Sequence, residues 1–172
     1  GSLCAYRLAE LGIKVLIIEK EKLPRFKPCG GALSLKSERL IDFDISEVIA
    51  NKVNEINIKY NDEEITYKTK KTFINLVNRK EFDNFLVTSA SNNGADLCEE
   101  ETVKRIEEKK GIITVVTSNN RYNSQYIIGA DGVLSTVARN FNLDQDQEKS
   151  ITYSCDLFNS TSRLNIDNII LD

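Results

Sequence analysis

GSLCAYRLAELGIKVLIIE, residues Gly1 to Glu19, is the stretch from which the rest of the chain is read. Leu3, Leu8 and Leu11, with Ala5 and Ala9 between them, predict a helix from Ser2 to about Leu11. The alanines let such a helix sit close to a sheet. Gly12 is a helix stop. The nearly all-apolar run Lys14–Ile18 is a strand of the parallel kind, covered on both faces. An acid, Glu19, follows at its end. Helix, glycine turn, strand and acid in this order make the second half of a βαβ unit of the kind that binds a nucleotide. The usual pattern sets three glycines between a first strand and the helix, with an acid about 20 residues on. Of those three glycines only the last is present here, as Gly1. A helix N-terminus offers free N–H groups to a diphosphate, and a carboxylate at the strand end suits a ribose hydroxyl. An ordinary helix and strand of an α/β fold is the alternative, and the remainder of the chain has to decide between them.

Composition narrows the classes. The chain has 172 residues, 41% hydrophobic and 28% charged, which is the balance of a globular protein with one sizeable core or one domain and part of another. Lysine and arginine total 23 against 26 acids, and no basic stripe favours nucleic acid. No apolar run approaches the roughly 20 residues of a membrane span. The run Val15–Ile18 is too short for a signal peptide. Cys4, Cys29, Cys98 and Cys155 show no C-x-x-C spacing. That argues against a zinc site and against a disulfide framework, and fits a reducing compartment and a cytoplasmic protein; no metal is expected. Histidine is absent, which removes the Ser-His and Cys-His nucleophile schemes. Proton transfer is left to Cys, Tyr, Lys, Asp, Glu or water.

Along the chain, Pro24 and Pro28 prevent regular structure, and Gly30-Gly31 permit unusual dihedrals and close approach to a ligand. Cys29 lies between these features, near the cations Arg25 and Lys27, which favour a lowered thiol pKa; a buried small residue in a packed loop is the alternative. A helix is expected from about Ser34 to Ile41. Residues 53–60 and 64–69 alternate apolar and polar around Asn61-Asp62, which predicts an antiparallel hairpin, and a strand Thr72–Val77 follows. Asn78 caps a helix whose Phe82, Phe85, Leu86 and Ala90 share a face and which ends at Gly94. Arg79 stands in its first turn, where a cation opposes the helix dipole; either a ligand anion or solvent compensates it. A short strand Ala95–Cys98 comes next. Strands Thr102–Glu107, Ile112–Thr117 and Tyr122–Ile128, joined at Lys110-Gly111 and Asn119-Asn120, then form a meander. The last runs into Gly129-Ala130-Asp131-Gly132 and a helix from about Ser135 to Phe141, placing a carboxylate and free N–H groups at one corner. Residues 144–149 read as a polar linker and Ile151–Phe158 as a further strand.

Three stretches now coincide: the helix–strand–Glu opening, R-x-x-F-D-x-x-L at Arg79–Leu86, and GADGVLSTVAR at Gly129–Arg139. Together they resemble the FAD-dependent oxidoreductases of the aromatic-hydroxylase type. PRFKPCGGALS at Pro24–Ser34 is most similar to the geranylgeranyl reductase family within that group. The resemblance implies an α/β, Rossmann-like FAD-binding fold with an antiparallel meander and the start of a β-rich substrate domain. It divides the chain into FAD-binding parts at 1–52 and 79–143 and substrate-domain strands at 53–78 and 144–172. It implies that Gly1 is the third glycine of the phosphate loop and that Glu19 binds the adenosine ribose, with Lys20 and Val103 also in the cofactor set. Arg79 would contact the flavin nucleotide, and Asp131 and Gly132 the pyrophosphate and ribityl chain. Cys29, Gly30 and Gly31 would lie close to the isoalloxazine ring.

The activity implied is FAD-dependent reduction of carbon–carbon double bonds in prenyl chains of isoprenoid lipids, with NAD(P)H or another reductant as electron donor. Cys29 is the candidate proton donor, or the group that fixes the flavin face. A prenyl-lipid substrate implies peripheral membrane contact; the oligomeric state is left open. Two other readings stay open: a flavin monooxygenase or halogenase of the same fold, and a nucleotide-binding fragment without turnover. Relative to the family, the first strand, the first two glycines, a later G-D segment and most of the substrate domain are missing. The chain is therefore expected to be a piece of a longer protein and, by itself, to hold FAD weakly.

Overall fold

The computed structural model describes residues 1–143, 150, 151 and 169–171. They form two compact units. Gly1–Arg25 joins the described residues from Asp83 to Ile151, and Phe26–Phe82 joins the strand at 169–171.

The first unit opens with helix α1 (Ser2–Glu10) and strand β1 (Leu16–Ile18). Helix α3 (Arg79–Asn92), whose first turn belongs to the second unit, leads to strand β7 (Asp96–Cys98). The two helices end identically. Gly12, at φ +75°, donates to Ala9 O while Ile13 N donates to Leu8 O; Gly94, at φ +106°, donates to Ser91 O while Ala95 N donates to Ala90 O. This crossed pair of bonds satisfies carbonyls that the last helical turn leaves open, and its positive φ favours glycine. Each helix then feeds a strand, and β1 and β7 pair in parallel, Leu16 opposite Asp96 and Ile18 opposite Cys98. Ala5 and Ala9 of α1 pack with Ala90 and Ala95, and Tyr6, Val15 and Ile17 close around them. The buried face of α1 is thus its alanine face, and Leu11 is 74% exposed. The strands are half-buried rather than fully covered.

Strands β8 (Val103–Lys109), β9 (Ile112–Thr117) and β10 (Arg121–Ser124) form the expected antiparallel meander. Lys110 and Gly111, both at positive φ, make the tight turn between the first two. β10 stops at Ser124 instead of reaching Ile128. Its register with β9 ends at Ser124–Ile113, so the residues beyond have only one more β9 residue, Ile112, before the turn. Helix α4 (Thr136–Asn140) follows, with Ser135 Oγ accepting from Ala138 N as N-cap.

A buried carboxylate joins the meander to the end of β7. Glu101 is 3% exposed. Its Oε1 accepts from Thr117 Oγ1 (2.6 Å) and Asn120 Nδ2 (2.8 Å), and its Oε2 from Tyr122 OH (2.7 Å). The Thr117 and Tyr122 hydroxyls, against some cost of burial, hold its pKa below the usual glutamate value. The Cys98 sulfur and the Glu101 carboxylate push the Tyr122 phenol upward.

In the second unit, strand β6 (Ile74–Val77) is central, with β2 (Ala32–Ser34) and β3 (Ile49–Val53) antiparallel on either side. Helix α2 (Leu35–Glu38), capped by Ser34, is a single turn rather than a helix to Ile41. Its Glu38 accepts from Asn75 of β6 at 2.8 Å. The segment expected as one strand at 53–60 breaks at Asn54 into β3 and β4 (Glu55–Tyr60). β4 pairs with β5 (Glu63–Lys68) through the predicted Asn61-Asp62 turn, Asn61 at φ +53°. The third strand of that sheet is β11 (Ile169–Leu171), parallel to β4. The expectations for 144–149 and 152–158 fall outside the described residues. The compact units divide the chain at 25/26 and 82/83, whereas the sequence boundaries fall at 52 and 78. Residues 26–52 join the second unit because β2 and β3 both hydrogen-bond to β6.

Gly31, at φ +73°, faces Val77 so closely that an added Cβ would stand 2.1 Å from Val77 O. Gly132, at φ +82°, has open space around it. Gly31→Ala is expected to destabilise by at least about 2 kcal/mol and Gly132→Ala by about 1 kcal/mol, measured by denaturant unfolding. A second expectation concerns pH. A carboxyl with a lowered native pKa stabilises fully above its unfolded value, and that contribution is lost as pH falls through the native one. Glu101→Gln should therefore lower the Tm at neutral pH and fall less steeply than wild type between pH ~5 and ~3, by thermal melts across that range.

Candidate functional site

Gly1, the residue before α1, lies against the Gly129–Gly132 corner: a Cβ on Gly1 would stand 3.2 Å from Ala130 Cβ. The helix tip and the acid-glycine corner therefore meet, as a shared diphosphate site needs. α1 carries no side-chain cap and no acid in its first turn, so its leading N–H groups remain available to an anion. Gly129 packs under α4, where a Cβ would come within 2.8 Å of Val137 Cβ. That close approach is what the glycine there permits.

Asp131 behaves differently from the sequence expectation. Its carboxylate accepts from the Ser135 hydroxyl, from Thr136 N at 2.6 Å and from Val137 N at 3.3 Å. Burial works against the charge, but these donors outweigh it and keep the carboxyl below the usual aspartate value. The N–H groups expected to be free at α4 are thus capped by Asp131 itself. What the corner offers a ligand is glycine backbone.

Glu19, at the end of β1, has a carboxylate that accepts from Glu21 N at 3.1 Å and from Arg25 Nε at 3.3 Å. Its backbone carbonyl accepts from Glu101 N at 3.0 Å, which brings the start of β8, and so Val103, to the same end of the sheet. Lys20 is exposed and pairs with Glu21 at 3.8 Å.

The second unit collects the thiol loop. Cys29 is exposed, and Gly31 N donates to its Sγ at 3.4 Å. Gly31 O in turn accepts from Val77 N at 2.9 Å, two residues before Arg79. The Gly31 N–H lowers the Cys29 pKa most; partial burial opposes it; the Arg79 guanidinium, by hydrogen bond and charge, and the Lys27 charge add to the lowering. Arg25, expected to act on the thiol, is instead turned to Glu19 and Asp83. A Cβ added at Gly30 would meet nothing within 4 Å.

The structure thus brings Gly1 to the Gly129–Gly132 corner and the end of β1 to the segment leading into β8 within one unit, and Cys29, Gly31 and Arg79 together within the other. Sequence reasoning missed Glu101, Glu99, which accepts from Leu23 N at 2.7 Å, and the partners of Arg25. An acid run after a strand, Glu99–Glu101, carries no local mark that separates it from a solvated surface. Among the described residues there is no cluster of three metal-ligating side chains and no helix long and apolar enough to cross a membrane.

The chain matches the sequence profile of the FAD binding domain over residues 1–167. It belongs to that family. Among relatives of this FAD-binding domain, an uncharacterised protein of Methanosarcina barkeri is 35% identical over 144 residues, 83% of this chain and 37% of that protein. A geranylgeranyl diphosphate reductase of Rhodobacter capsulatus is 30% identical over 145 residues, 80% of this chain and 36% of the relative. The chain spans little more than a third of the length of either. Among solved structures, the halogenase PltM in complex with phloroglucinol and FAD has a TM-score of 0.67 at 20% identity, over 83% of this chain and 34% of the halogenase. That likeness concerns the fold, and it agrees with the α/β FAD-binding fold read from the sequence.

If Arg79 stabilises the Cys29 thiolate, Arg79→Ala moves the midpoint of the pH profile for Cys29 alkylation upward. Iodoacetamide labelling followed by peptide mass spectrometry measures it, and an unchanged midpoint would leave the effect to Gly31 and Lys27.

Proposed function

We propose that the protein containing this chain is an FAD-dependent oxidoreductase that reduces carbon–carbon double bonds of prenyl chains in isoprenoid lipids. The observation that carries this reading is the Cys29-Gly30-Gly31 loop held beside Arg79. Bound FAD would supply hydride transfer, with NAD(P)H or another reductant as the source of electrons. The chain's residues fit the nucleotide: α1 has an uncapped tip beside the glycine corner, and the Glu19 carboxylate has acceptor capacity for ribose hydroxyls. Gly1, Gly132 and the backbone at Asp131 would hold the diphosphate side, and Glu19, Lys20 and Val103 the adenosine.

An isolated alkene needs a proton at one carbon as hydride arrives at the other. The Cys29 thiol is placed in this role. The Gly31 N–H and the Arg79 guanidinium stabilise the thiolate left after donation, so the sulfur gives up its proton more readily. Solvent then returns a proton to the exposed sulfur. The β4–β5 hairpin adds an apolar strip. Ile58, Tyr60, Ile65 and Tyr67 are exposed on one face, while Glu55–Lys68 and Lys59–Glu64 pair on the other. Tyr67 meets Phe73 edge-on at 5.7 Å. Such a strip suits an aliphatic chain, and a lipid substrate makes peripheral membrane contact part of the proposal. The relationship to the geranylgeranyl diphosphate reductase supports the substrate class.

A second reading, oxygen-dependent hydroxylation or halogenation, is favoured by the fold shared with PltM. In the full-length protein, Cys29→Ser is expected to lower prenyl-chain reduction at least about tenfold with FAD still bound. Unchanged reduction removes Cys29 from the mechanism. Oxygen consumed in step with substrate would replace the reductase reading with the second one.

A further inference from the structure

Arg25 is a cation well shielded from solvent. Its side chain is 19% exposed, and it lies between two carboxylates that are themselves largely covered, Glu19 at 20% and Asp83 at 13%. Nε donates to Glu19 Oε2 at 3.3 Å and Nη1 to Asp83 Oδ2 at 3.1 Å. One planar fork therefore ties the end of β1 to α3. The other oxygen of Glu19 takes the Glu21 N–H at 3.1 Å, and Glu99 fixes the same loop through Leu23 N at 2.7 Å. Each Glu19 oxygen has one protein donor, and a carboxylate oxygen can accept two. The carboxylate is thus held at both oxygens while keeping room for two further donors. A vicinal diol presents two donors at matching spacing.

We infer that Arg25 is a positioning residue for nucleotide recognition: anchored on Asp83, it fixes the Glu19 carboxylate in the orientation that accepts the adenosine ribose hydroxyls. This rests on the reading that Glu19 binds that ribose. A lysine would not replace it, because an ammonium lacks the rigid fork that spans two carboxylates in a set geometry.

The test uses the full-length protein stripped of flavin, with FAD and an FAD analogue lacking the adenosine 2′- and 3′-hydroxyls as probes. Arg25→Ala should weaken FAD binding about tenfold, the size of one charge-assisted hydrogen bond, and leave the dideoxy analogue nearly unaffected. In a Glu19→Gln background the same change should cost less than about twofold. Asp83→Asn, which removes the anchor, should shift FAD in the same direction. Arg25→Lys should recover only part of the loss; with Asp83→Asn it carries the comparison if Arg25→Ala fails to fold. If the Arg25 variants weaken both probes equally, or add fully to Glu19→Gln, Arg25 merely holds the chain together and the inference falls. If Glu19→Gln alone leaves the preference for FAD over the analogue intact, the ribose reading of Glu19 falls first, and the inference with it.

Discussion

Ala5 and Ala9 on one helix meet Ala90 and Ala95 at the end of another, and the first unit is arranged about that contact. Alanine brings helix backbones close without forcing side-chain rotamers to adjust. Both helices end on a glycine at positive φ, and both hand the chain directly to a strand. Because the two halves repeat one geometry, β1 and β7 emerge side by side and parallel. The tip of α1 and the acid at the end of β1 are consequently fixed by the same packing. A larger side chain at Ala90, which is fully buried, would push on both.

Carboxylates in this unit differ in how many protein donors surround them. Glu101 is surrounded by three donors and ties the meander to β7. Asp131 caps α4, and Glu99 pins the loop at Leu23. Glu19, at the end of β1, has one donor per oxygen where Glu101 and Asp131 each have three. The distinction follows from hydrogen-bond counting rather than from charge. The thiol loop of the second unit obeys a similar logic. Gly31 has no Cβ because the Val77 carbonyl occupies that space. The same backbone conformation turns its N–H toward the Cys29 sulfur. Gly31 thus serves both the close packing there and the lowering of the thiol pKa, to which Arg79 and Lys27 add.

The sequence was legible wherever a local signal has a local cause. Helix stops at Gly12 and Gly94, the Asn61-Asp62 and Lys110-Gly111 turns and the parallel character of Val15–Ile18 were all readable from adjacent residues. So was the meeting of the α1 tip with the G-A-D-G segment. The reading failed where a partner distant in sequence decides the outcome. Alternation alone carries the strand after Arg121 to Ile128, because it does not show where β9 ends. Local pattern carries the helix after Ser34 to Ile41, whereas β2 and α2 are set by pairing with β6, some forty residues on. Nearness in sequence points Arg25 to the thiol, yet its partners are Glu19 and Asp83.

By itself, then, the sequence determined the class of fold and the residue types from which a nucleotide site is built, since glycine stops, apolar runs and the terminal acid act over a few residues. Tertiary structure alone decided which charged groups remain available to a ligand. A carboxylate's role depends on how many donors surround it in space. Asp131 and Glu101 are enclosed by donors that chain order does not reveal, while Glu19 is held and left partly open.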